Sequence, residues 1–172
     1  MTVTTIAALT TAVPVPAHVL PQRSSAQLLV LARQGLAEAE HTTADGLRYA
    51  AAHLAALRAA AAMLAARARP EPRRRSRITS AWALLTTVAP ELAEWAEFFA
   101  AGASKRVAAE AGIPRAVTTR EADDLVRAAG EFVEVVAMSI GPVHPLGELA
   151  SRASKRVLPL MSATRPHQPA LV

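Results

Sequence analysis

Apolar residues recur at intervals of three and four along most of the chain, which is the period of an amphipathic helix, and alternation at period two is sustained nowhere. Five helical segments follow from this pattern. The first starts at the N-cap candidates Ser24 or Ser25 and runs to about His41, with Leu28, Leu29, Leu31, Ala32 and Leu36 on one face. The second runs from about Asp45 to Arg67, with Thr42, Thr43 or Asp45 as its cap. It stops before Pro70 and Pro72, because a residue preceding proline is driven out of helical geometry. The third begins near Ser76 and carries Ile78, Trp82, Leu85 and Val88. Pro90 suits the first turn of a fourth, which carries Leu92, Trp95, Phe98 and Phe99 and is ended by Gly112 and Pro114. Thr118-Thr119-Arg120-Glu121 has the form of a capping box and opens the fifth, with Leu125, Ala129, Phe132, Val133, Val136 and Ile140 at helical spacing. The expectation is an all-α, compact bundle of about five helices joined by short connections.

The pattern stops at both ends. Residues 1–22 carry no Lys, Arg, Asp or Glu and include Pro14, Pro16 and Pro21, so a disordered N-terminal arm is expected there. Residues 141–172 begin with Gly141-Pro142 and contain Pro145, Pro159, Pro166 and Pro169 among scattered Arg and Lys. They read as a basic, largely disordered tail with room for one short helix around Leu146–Leu158. The bundle is thereby placed at 23–140. No uninterrupted apolar run reaches about 18 residues, and no basic residue precedes Arg23, so neither a membrane span nor a secretory signal is expected. The expectation is a cytoplasmic protein without a membrane partner.

The second helix has unusual chemistry. On a wheel with Asp45 at zero, Leu47, Ala50, Leu54, Leu57, Ala61 and Leu64 fall within roughly 100–200° and form the expected core face. Ala52, Ala56, Ala59, Ala60 and Met63 fill a second apolar sector, from roughly 320° through zero to 60°. A helix apolar on two sides must bury both, so it sits at the bundle centre or its alanine side meets a partner subunit. Asp45, Tyr49 and His53 stack at i, i+4 and i+8, a chain able to orient the imidazole. Arg48 lies about 140° around the helix from His53. A single copy therefore does not set guanidinium and imidazole side by side, whereas a two-fold partner can bring pairs from both copies together.

Composition removes several classes of activity. The chain of 172 residues is 52% hydrophobic and has no cysteine, which excludes disulfides, thiolate metal sites and a cysteine nucleophile. Aromatics make up only 3%, too few for base-stacking platforms, and no glycine-rich phosphate loop occurs. No cofactor and no metal is expected. Alanine fills 41 positions, which favours helix throughout. The net charge of +5 equals the excess of one segment: residues 67–77 hold six arginines, Arg67, Arg69, Arg73, Arg74, Arg75 and Arg77, against Glu71 alone. Such a segment can grip phosphates, and RNA or an acidic protein is the partner it fits. Glu91, Glu94 and Glu97 form an acidic stripe, either solvated or matched to that segment across subunits. Asp123 and Asp124 suit the positive end of the fifth helix.

The run Arg48-Tyr49-Ala50-Ala51-Ala52-His53 fits the R-x4–6-H signature of the HEPN superfamily. Extended to Arg58, it resembles a HEPN family of GC-rich bacteria. Arg73-Arg74-Arg75-Ser76-Arg77, Ala89-Pro90-Glu91-Leu92-Ala93-Glu94-Trp95 and Ala122-Asp123-Asp124-Leu125-Val126 resemble it too, and the likeness covers about residues 24–137. The resemblance implies a helical domain that forms a homodimer. In catalytic members it implies metal-independent RNA cleavage in a composite dimer cleft. His53 would then be the acid/base and Arg48 the clamp on the developing phosphorane charge, with Tyr49 and Asp45 in support. One departure is Tyr49, where active members often carry a small polar residue. The alternative is a non-catalytic interaction or regulatory domain, with His53 structural and the arginine segment binding a partner.

Overall fold

The computed structural model describes residues 13–71 and 80–141. Among these residues five α-helices dominate: α1 (Ser25–His41), α2 (Asp45–Arg67), α3 (Ala81–Val88), α4 (Ala93–Glu110) and α5 (Thr119–Ile140). The all-α bundle is the observed architecture. Ser76 and Ile78 in the expected third helix, Arg73, Arg74, Arg75 and Arg77, and the tail 142–172 lie outside the described residues.

Local chemistry sets most helix ends. Ser24 caps α1 in a reciprocal box with Gln27, and Thr118 caps α5 in the same way with Glu121. Ser80 caps α3, accepting from the Ala83 N–H. Pro90 starts a 3₁₀ turn, Pro90–Leu92, that runs straight into α4. Gly112 and Gly141, at φ +70° and +71°, take up the left-handed conformation just past α4 and α5. One cap departs from expectation. The residue before α2 is Ala44, which offers no side-chain cap, and Asp45 is spent inside the first turn instead.

The arm is also more structured than its prolines suggested. Val13–Pro16 (β1) pairs in parallel with Ala68–Glu71 (β2), and a 3₁₀ turn, Ala17–Val19, follows β1. Val15 is 2% exposed and packs with Leu64 and Val88. Val13, Val19 and Leu20 pack around it, and the β1–β2 pairing adds main-chain hydrogen bonds, so the expected disorder over 1–22 does not hold for residues 13–19.

Helix α2 is the bundle's axle, packed against α1, α3, α4 and α5. By length and composition it could cross a bilayer, but most of its apolar surface is covered by these neighbours. The alanine sector lies at the bundle centre, one of the two places expected for it, and the expected core face is core only in part: Ala50 and Leu64 are buried. Ala52, Ala56, Ala59, Ala60 and Met63 are fully buried inside the bundle, whereas Leu47 and Leu54, assigned to the core, are 60% and 40% exposed. The reason is size. Alanines let four helices approach the axle closely, and Leu47 and Leu54 fall on the side where no helix packs among the described residues. The aromatic residues gather at one end of the core, with Phe99 stacked on Trp82 and Trp95 and tilted against Phe132.

Candidate functional site

The two motif residues leave α2 in different directions. His53 points into the seam with α3 and α4 and has no exposed surface. Its Nε2 donates to the Phe99 carbonyl at 2.9 Å, which assigns the neutral ring's proton to Nε2. Nδ1 has no hydrogen-bond partner among the described residues. Trp82 and Phe99 present edges to the imidazole at 5.7 and 5.9 Å, and Tyr49 stacks at 6.5 Å. Burial pushes the imidazole below its ordinary pKa; the Phe99 carbonyl pulls the other way, and Arg106 and Glu110 act from α4.

Arg48 points toward α5. Its Nη2 lies 3.0 Å from Asp45 Oδ1 and 2.9 Å from Asp123 Oδ1, with a longer contact of 3.5 Å to the Thr119 carbonyl. Asp45 Oδ2 in turn accepts from the Thr119 hydroxyl at 2.7 Å. The guanidinium thus ties the starts of α2 and α5 together. It also lines a shallow recess of about 240 Å³ with Glu40, Asp123, Val126 and Arg127. Two carboxylates hold the charge that a phosphate would need.

The relay Asp45–Tyr49–His53 does not form. Asp45 is committed to Arg48 and Thr119, and the Tyr49 hydroxyl donates to the Gly102 carbonyl at 3.4 Å. Gly102 is required there, because a Cβ at that position would stand 2.6 Å from the Tyr49 oxygen. Burial pushes the Tyr49 phenol up. Beyond it, Lys105 pairs with Glu121 at the surface. That pairing, with the Thr118 cap, holds the Glu121 carboxyl at about 2.

In the arginine segment, Arg67 pairs with Glu91 and donates to the Ser139 carbonyl at 3.3 Å, so it is anchored within its own chain. The acidic stripe therefore meets the segment at one point in cis. Arg69 lies in β2, on an exposed stretch. Sequence reasoning did not find Thr119 and Asp123 as partners of Arg48, nor the Phe99 carbonyl as the anchor of His53. The Thr118–Glu121 box did mark where α5 starts, and that start is what brings Thr119 and Asp123 to Arg48. Among the described residues no cluster of three or more His, Asp or Glu side chains is arranged to hold a metal.

Residues 39–137 match the protein family described as HEPN_SAV_6107-like HEPN. Comparison with curated proteins and with solved structures gave no match.

Proposed function

The chain belongs to the HEPN_SAV_6107-like HEPN family, and from that premise we propose that it is a binding domain that does not cleave RNA through Arg48 and His53. The observation that carries this is the complete burial of His53. A general acid or base must come within about 3 Å of the proton it moves. Here the only ring nitrogen with a partner is held by the Phe99 carbonyl, inside a wall of Trp82 and Phe99. Arg48, neutralised by Asp45 and Asp123, opens on the side facing α5, not α4. In this reading each end of the R-x4-H run is a structural tie of the α2 axle. Binding falls to the segment 67–77, which holds charge equal to the whole net excess, and RNA is the partner proposed for it.

The test is incubation of the full chain with mixed RNAs in EDTA. No 2′,3′-cyclic ends should appear, while RNA binding should weaken and lose salt dependence when Arg73, Arg74 and Arg75 are changed to Gln. Cleavage that is abolished by His53→Gln in a protein that remains folded would overturn the non-cleaving reading. Unchanged affinity and salt slope in the triple variant would overturn the RNA reading.

A further inference from the structure

Helix α4 is packed along only half of its length. Before Gly102 it buries Ala96 and Phe99. Between residues 103 and 116 the one buried residue is Ala109, and Val107 and Ile113 stand exposed. The chain is buried again at Val117, just before α5. Both ends of this stretch are able to bend. Gly102 lies inside the helix, where glycine is the weakest former after proline. Beyond the helix, Gly112 and Arg115 take left-handed φ values of +70° and +57°.

What holds the stretch is mostly polar. The Tyr49 hydroxyl donates to the Gly102 carbonyl and His53 Nε2 to the Phe99 carbonyl, both at the level of the glycine. Lys105 pairs with Glu121 of α5. Ala109 meets Gly46 of α2, where a Cβ would stand 3.5 Å from the Ala109 methyl. Arg106 and Glu110 pair with each other within the stretch.

We propose that residues 103–116 are a flap, hinged at Gly102 and anchored again at Val117, which opens from α2 when His53 takes up a proton and uncovers Tyr49 and the imidazole. The closed seam has no place for the charged ring. Protonation adds an N–H at Nδ1, which has no partner among the described residues, inside a wall of Trp82 and Phe99. The groups that face the ring are Tyr49 from its own helix, Trp82 from α3 and Phe99 from α4. The charges that act on it are Arg106 and Glu110, both on the flap, and the repulsion by Arg106 is the larger of the two. Swinging the flap away removes that repulsion and admits water to the ring. The other walls are fixed by their own cores, α3 through Trp82, Leu85 and Val88 and the first half of α4 through Ala96 and Phe99, so the flap is the part that yields. Opening assembles no cleft with Arg48, which stays tied to Asp45 and Asp123 toward α5. The flap is therefore independent of whether RNA is the ligand.

The open form binds the proton at an ordinary imidazole value and the closed form at a lower one, so acid favours opening. Between pH 7.5 and 5.5 the open population should rise about tenfold. Hydrogen exchange read by mass spectrometry on the full chain, corrected for the intrinsic effect of pH, measures this directly. Amides of residues 103–116 should lose about tenfold in protection at pH 5.5, while those of 50–64 in α2 and 125–136 in α5 keep theirs. Glu121 sits at about 2, so its pair with Lys105 does not titrate in this window. His53→Gln keeps a donor for the Phe99 carbonyl without the charge and should leave the flap equally protected at both pH values. The hinge is tested without touching His53. Gly102→Ala alone would set a Cβ 2.6 Å from the Tyr49 oxygen, so it is made together with Tyr49→Phe. Compared with Tyr49→Phe alone, the double variant should slow exchange in 103–116 about fivefold at pH 7.5. Wild-type flap exchange that ignores pH overturns the proposal, as does a response spread equally over α2 and α5. So does a pH response that persists in folded His53→Gln, or flap exchange unchanged in the double variant.

Discussion

The seam around His53 and the seam around Arg48 start five residues apart on one helix and are built on opposite principles. The first is dry and neutral: an imidazole without exposed surface, one carbonyl and three aromatic rings. The second is ionic and partly open, with Arg48 between two carboxylates beside a shallow recess. The difference teaches that spacing in sequence does not make a site. An offset of about 140° sends the two ends of the motif to different neighbours, and each neighbour dictates the local medium. Low dielectric makes the His53 hydrogen bond costly to lose, while solvent near Arg48 screens its ion pairs.

If that contrast is right, the two ends should respond very differently to substitution. His53→Ala removes a buried ring and leaves the Phe99 carbonyl unpaired. It should lower the unfolding free energy by about 3 kcal/mol in urea titration. A loss below about 1 kcal/mol would mean that the seam is not closed in solution.

The pH response should separate the ends next. The His53 imidazole titrates below its ordinary value because it is buried, so the unfolded chain takes up a proton before the folded one does. The stability it supports is complete above about pH 6.5 and is lost as pH falls below that and through the lowered folded value. Melting temperature measured from pH 8 to 5 should show this fall, and His53→Gln should flatten it.

Arg48→Ala should cost only about 1 kcal/mol, through the lost tie between α2 and α5 and the carboxylates left facing each other. Asp123→Asn should cost less again, and thermal melts of the two variants would rank them. The smallest effect belongs to the surface pair. Lys105→Ala should raise the Glu121 carboxyl from about 2 toward the ordinary range, readable by side-chain NMR titration, with the fold unchanged.

How much of this was legible depended on how local the cause was. The two capping boxes and the Pro90 start are chemistry within a few residues, and the chain spelled them out. The angular separation of Arg48 and His53 followed from helix geometry alone. The exposure of Leu47 and Leu54 did not follow. An alanine-rich helix carries no polar stripe to mark its outside, so the alanine sector could be placed at the bundle centre or against a partner, and the exposure of Leu47 and Leu54 could not be told from the core positions Ala50 and Leu64 beside them. The partners of His53 and Arg48 were hidden for a related reason. One is a main-chain carbonyl 46 residues away, and side-chain pattern says nothing about which carbonyl will be left facing an imidazole. The other includes Thr119, whose role depends on where the start of α5 lands against α2.

The pairing of β1 with β2 has a consequence for how the chain comes together. A parallel pair needs a crossover, and here the crossover is the whole of α1 and α2. The pairing of Val13 with Ala68 closes the whole connection through both helices, so the clasp carries a loop-closure cost that the contact between α1 and α2 offsets. Native-state hydrogen exchange should therefore find the β1–β2 pairing less protected than the buried turns of α2. Within the described part of the arginine segment, the same pairing holds Arg69 opposite Pro14, so the clasp fixes where that charge leaves the bundle.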